Sequence, residues 1–347
     1  MIERKFFMAI IPAILIILFV GLYFYFSGSN EVLFSECGDG TLFGECSVNN
    51  PYYCEEGILV EKASLCGCPD ILSQDGDSCI SEYATNPKEV LLEYFTGESK
   101  GQIDFIVYEG LSDYLYGLPN FIKYEGNESP DRGDFKIRDI EEENQRELLL
   151  PLVIKIQNLA QMDKSRQARI AISLVQNIKY GYSGKTKLFI GSIEVPYSRY
   201  PNDVLYDGEG ICGEKSELLA FLLKELGYGI TFFYYSDENH EAIGIKCPVE
   251  HSLNGLGYCF VETTGPAILT DNKITYVGGV VLPENPESII ISEGISLPEN
   301  LPEYKDARDL IELREEIENN VWVFPPKKWK FEKLVEKYGL VDEYNLD

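Results

Sequence analysis

Across 347 residues, 45% hydrophobic and 12% aromatic content gives this chain enough apolar side chain for a sizeable core and excludes a disordered one. Its formal net charge of −27 argues against nucleic acid as a partner, because phosphates need clustered Lys and Arg. The charge describes a solvated, self-repelling surface and carries no information about the fold.

The chain opens on MIERKFFMAIIPAILIILFVGLYFYFSGSN. From Phe6 to Phe26, 21 residues carry no charge, enough for a helix to cross a bilayer. A cleaved signal has an apolar stretch of only about 7–15 residues, so residues 1–30 read as an uncleaved transmembrane anchor, in which Pro12 is tolerable. Arg4 and Lys5 precede the run, and no Lys or Arg follows until Lys62. That asymmetry predicts a single-pass protein of the cell membrane, N-terminus cytoplasmic and everything beyond about residue 27 outside.

Six of the nine cysteines, Cys37, Cys46, Cys54, Cys66, Cys68 and Cys79, crowd a stretch rich in Gly, Asn, Asp and Ser. Such a segment cannot bury much core and needs covalent staples. Outside the membrane the default is disulfides, here in any of about 15 connectivities, and residues 31–80 read as a small disulfide module. Without a His or paired CxxC motifs it does not read as a zinc site. Nothing in the sequence calls for a metal or a cofactor.

Residues 80–92 read as a linker, and 93–140 mix apolar pieces with acidic loops and yield no element. Helical spacing begins near 141, first in EEENQRELLLPLVIKIQNLA, then in DKSRQARIAISLVQNIKYG, where Ala168, Ile172, Val175 and Ile178 recur on one side. A third helix runs from about Cys212 to Leu226, with Gly227 as its stop. It is apolar on nearly all sides past its first turn and a half, which predicts central burial with the polar start at the surface. The period then changes. ITFFYYSD, HEAIGIKC, YCFVETT and ITYVGGVV read as four antiparallel strands, followed by a loop over 282–303 and a helical extension within 286–347. Trp322 and Trp329 read as docking that extension.

Cys247 and Cys259 flank a turn-rich loop and read as a pair, which leaves Cys212 alone. The first-turn N–H groups and dipole of a helix favour negative charge on a thiol placed there, and the same N–H groups can stabilise an oxyanion. A cysteine nucleophile needs a base, and the chain has two histidines. His240 opens the second strand, sharing a face with Ala242 and Gly244; on the next strand Glu262 occupies the polar phase. Perfect register between Cys247 and Cys259 would set Glu262 opposite Gly244, too far from His240. Bringing the two together requires either a bulge or a disulfide beyond the paired region. His251 reads as a surface residue of the disulfide loop, and Asp237 and Glu241 as solvent-facing.

With YPNDVLYDGEGICGEKSELLAFLLKELG before the histidine, and a helix ending in NIKYGY upstream, the order Cys, His, acid resembles the transglutaminase-like superfamily of papain-like thiol enzymes. The likeness covers roughly residues 145–270. It implies an α+β, papain-like or transglutaminase-like core within a domain of 93–285, with a buried cysteine-bearing helix packed on an antiparallel sheet. It further implies acyl transfer on peptide or carboxamide bonds, with Cys212 the nucleophile, His240 the general base and acid, and Glu262 the orienting carboxylate, where most relatives carry Asp. The implied partner is a protein or peptide, with hydrolysis favoured over cross-linking. The alternative is a binding or scaffolding protein that kept the fold and lost the reaction.

Overall fold

Covalent staples shape the first part of the computed structural model, which describes residues 36–97, 99–127, 129–189, 193–273, 281–283, 285–318 and 325–340. Strands β1 (Tyr52–Glu55) and β2 (Ile58–Glu61) form a hairpin whose two turn residues, Glu56 and Gly57, both have positive φ. Helix α1 (Ala63–Cys66) and the hairpin β3 (Ser73–Asp75) with β4 (Ser78–Ile80) complete the segment. Its disulfides join Cys37 to Cys54, Cys46 to Cys66, and Cys68 to Cys79.

Residues 80–92 are not a linker. Strand β5 (Pro87–Thr96) begins there and pairs along its full length with β6 (Ser99–Tyr108). Leu92, Tyr94, Ile103, Phe105 and Val107 all face inward. Leu91 and Ile106 on the opposite face are exposed, and they hide the alternation from a reader of the sequence. Helices α2 (Glu109–Gly117), α3 (Arg132–Ile140), α4 (Glu143–Ala160) and α5 (Lys164–Asn177) follow. The stapled segment rests on α4: Asn158 accepts from Leu59 N–H and donates back to its carbonyl, at 2.8 and 2.9 Å.

Beyond α5 come β7 (Lys179–Tyr180), the hairpin β8 (Thr186–Phe189) with β9 (Ile193–Pro196), α6 (Pro201–Asp207) and β10 (Glu209–Gly210), which pairs in parallel with β7. Helix α7 (Cys212–Glu225) forms where expected. Glu214 in its first turn accepts from the Ile211 N–H at 3.0 Å. At the other end Gly227 has φ +93°, Tyr228 N–H bonds Leu223 O and Gly227 N–H bonds Lys224 O. That is the Schellman arrangement, which uses up carbonyls the helix cannot. Every residue from Glu214 to Leu223 is buried.

Helix α7 packs on β11 (Ile230–Tyr235) and β12 (His240–Lys246), two strands of an antiparallel sheet in the order β13, β12, β11, β14. Strand β13 spans Tyr258–Val261. The edge strand β14 (Glu287–Ser292) comes from the stretch read as loop, and it pairs with β11. The stretch read as ITYVGGVV lies almost wholly outside the described residues. Helices α8 (Pro302–Glu318) and α9 (Pro325–Tyr338) close the chain around Ile268, Leu310, Leu313, Phe331 and Leu334. Phe331 and Leu334 do the docking; Trp329 is 67% exposed, and Trp322 lies outside the described residues.

The expected fold class is corrected. In place of an α+β papain-like or transglutaminase-like core behind a transmembrane helix, the described chain is a mixed α/β structure. One four-stranded sheet and several two-stranded, mostly antiparallel ones are distributed along it. No helix among the described residues is long and apolar enough to cross a membrane, and the segment expected to do so, 1–30, lies outside them. The physical reason is local: most strands pair with the next strand in sequence, so hairpins form along the whole chain instead of joining one sheet.

Candidate functional site

Four disulfide bonds take eight of the nine cysteines, the last joining Cys247 to Cys259, and Cys212 is left free and half-buried. The thiol stands at the first residue of α7, where backbone N–H groups have no carbonyl partner inside the helix. Its sulfur lies 4.0 Å from the Asn239 carbonyl oxygen, in the turn that delivers His240.

Register brings the acid to the imidazole. Ile245 faces Cys259 and Ile243 faces Val261, so Cys259 sits inside the ladder while Cys247 lies just past the end of β12, and the disulfide joins them diagonally. The chain adopts neither a bulge nor a disulfide wholly beyond the ladder; the register is offset by two residues from the one that sets Cys247 opposite Cys259. Continued one step, the pairing sets Glu262 opposite Ala242, diagonal to His240 on the same face. His240 Nε2 and Glu262 Oε2 are 3.1 Å apart. The other carboxylate oxygen, Oε1, accepts from Thr264 N–H at 2.7 Å and from the Thr264 hydroxyl at 2.5 Å. With Nε2 on the carboxylate, Nδ1 is the ring atom left for the thiol of Cys212, one of the groups that raise the imidazole.

The charges follow from these contacts. Burial by itself would strip the proton from His240; hydrogen bonds and charge from Cys212 and Glu262 outweigh it and raise the imidazole to about 9. Burial by itself would raise the Glu262 carboxyl. The imidazole and the two Thr264 donors overcome that and hold it below the ordinary carboxylate value. Sulfur, imidazole and carboxylate thus follow one another in a row, open at the sulfur and closed at the acid, which is 2% exposed.

Compared with known proteins, the chain matches no family model, no curated protein and no solved structure.

Several neighbours carry no signal in the sequence. Tyr180 of β7 lies beside Cys212, its hydroxyl 3.3 Å from that of Tyr182. Burial, then Tyr182 and Cys212, raise its phenol, so it remains a proton donor. Arg199, nearly fully buried, ion-pairs with Asp207, Glu209 and Glu214 and fixes the loop that leads into the cysteine. Glu241 is not solvent-facing. It is buried, bonds Lys136 at 2.8 Å and pairs with Arg132 from α3, while Asp237 is exposed as expected. Gly213 makes room for that carboxylate, because a Cβ there would come within 2.7 Å of Glu241 Oε2. His251 stacks on Tyr304 at 3.9 Å, away from the thiol row.

Proposed function

We propose that the chain is a thiol-dependent acyl-transfer enzyme acting on peptide or carboxamide bonds, hydrolytic in preference to cross-linking. The carrying observation is that the one free cysteine among the described residues stands beside the turn that delivers His240 and helps raise that imidazole, whose Nε2 bonds a buried carboxylate. Proximity to that order of groups also motivates the proposed kinship with transglutaminase-like thiol enzymes. Four disulfides support folding in an oxidising compartment.

In this reading His240 holds the thiol's proton, since an imidazole raised to about 9 is protonated at neutral pH. The Cys212 thiolate adds to the carbonyl carbon, and the oxyanion is met by first-turn N–H groups of α7 and by the Tyr180 hydroxyl. His240 passes its proton to the leaving amine as the C–N bond breaks, giving a thioester. Water then attacks the thioester, His240 takes its proton, and the acid leaves as the thiolate is released. Glu262 keeps the ring oriented and its positive charge balanced throughout. A binding protein with a dead site would be favoured by a sulfur out of reach of the ring; the closeness of Cys212 to the turn that delivers His240 supports the enzyme reading instead.

Alkylation of the native full chain by iodoacetamide at pH 7 tests the reading. We expect one thiol to react, Cys212, and the rate to fall about 10–100-fold in His240→Ala. Cys212→Ala should end amide turnover with unchanged circular dichroism. Equally slow labelling of the parent and His240→Ala would overturn it.

A further inference from the structure

One turn beyond the nucleophile, Lys215 is fully buried. An ammonium taken out of water keeps its proton only where oxygens replace the lost hydration. Here Nζ donates to the carbonyls of Ile178 at 2.5 Å, Thr264 at 3.2 Å and Gln176 at 3.4 Å. Two of these belong to the end of α5, Gln176 in its last turn and Ile178 at its C-cap. Such carbonyls lack helical partners and carry the negative end of the dipole. The third belongs to the turn after β13, the residue whose N–H and hydroxyl both hold Glu262. Gln176 reinforces the same turn by donating to Glu262 O at 2.9 Å and Ala267 O at 3.1 Å. Burial pushes the Lys215 ammonium down to about 8, opposed by the Glu262 charge.

Building on the thiol reading above, we infer that Lys215 is a positioning residue that acts through Glu262. It pins the turn after β13 to the start of the cysteine helix and offsets the buried carboxylate, so that the acid stays ionised and aimed at His240 Nε2. The other titratable groups bearing on that carboxylate are His240 from β12 and Tyr235 from β11. Cys212 from α7 meets the far side of the imidazole, with Tyr180 of β7 beyond it. Helix α5 contributes only the amide and carbonyls already named.

The test is the pH profile of Cys212 alkylation by iodoacetamide in the full chain, for the parent, Lys215→Met and Lys215→Gln. Methionine removes charge and donors together; glutamine keeps donors and removes the charge. Without the cation Glu262 takes up its proton at higher pH, so the acid limb should move up by about one pH unit in both variants, with the rate reduced up to about tenfold within the shifted limb and little changed at neutral pH. A lysine that only packs would lower the melting temperature of Lys215→Met and leave the acid limb in place. A folded Lys215→Gln whose profile superimposes on the parent's overturns the inference. A parent without fast, His240-dependent alkylation overturns the thiol reading instead. Should neither variant fold, lysine Cε resonances followed by NMR in the parent and in Glu262→Gln decide. Lys215 should titrate lower once the carboxylate is gone, and an unmoved titration refutes the pairing.

Discussion

The stapled segment of residues 36–80 and the region around α7 hold cysteine for opposite reasons. In the first, Val48 is 95% exposed, Leu65 61% and Phe43 55%, and only a few side chains, such as Tyr52, Leu59 and Ala63, join Cys37 and Cys54 inside. There is too little apolar burial to hold the backbone, and three disulfides take its place. In the second, every side chain from Leu218 to Leu223 is buried against α5, β11 and β12, and Cys247 and Cys259 satisfy each other. The core there has no need of the Cys212 sulfur for stability. A thiol spared from structure is available for chemistry, and the row of imidazole and carboxylate behind it has no evident structural purpose.

That contrast can be broken by removing each kind of support in turn. Phe221→Ala deletes a fully buried ring from the middle of α7 and should cost about 3–5 kcal/mol in urea unfolding. Replacing Cys37 and Cys54 by Ala opens a loop with a sequence separation of 17 and should cost about 2–4 kcal/mol, detached from any change in Cys212 alkylation. A larger loss from the disulfide than from the ring would show that the staples carry the stability of the whole chain, and the division drawn here would fail.

How much of this was legible beforehand follows the same division. Helix α7 announces itself through its run of leucines and Gly227, each a local signal with a local cause. The pairing of Cys247 with Cys259 follows from the loop between them. The hairpin of β5 and β6 stayed hidden because Leu91 and Ile106 place large apolar residues on its outer face. Strand β14 stayed hidden because Ile289, Ile290 and Ile291 run without alternation between prolines and serines. Cys212, His240 and Glu262 were readable as chemistry, since thiol, imidazole and acid occur in an order. Their register was not, because it depends on where β12 stops relative to Cys247, a property of the folded sheet. Lys215 was illegible for another reason: a lysine in a helix looks like surface until burial is known. Glu241 misled in the same way, since its partners Arg132 and Lys136 are more than a hundred residues distant in sequence.

The smallest effect separates the site from its scaffold by the sign of a pH dependence. His240 is raised from 6.5 to about 9, so between those values the folded chain holds a proton that the unfolded chain has released. Its stabilisation is therefore complete below about pH 6.5 and is lost as pH rises through about 9, with a slope of at most about 1.4 kcal/mol per pH unit. Lys215 acts with the opposite sign. Lowered from 10.5 to about 8, it makes the folded state the weaker proton binder above pH 8, so its contribution to stability grows from there upward. The two windows overlap between pH 8 and 9 and oppose each other. Unfolding free energies should accordingly be compared from pH 6.5 to 8, as the difference between Cys212→Ala and the double variant Cys212→Ala/His240→Ala, in which no thiol supplies the proton and groups common to both cancel. Over that range the histidine's contribution should shrink as pH rises. A contribution that is flat, or that grows with pH, would mean that the imidazole is neutral in the folded chain and that Glu262 does not hold it charged.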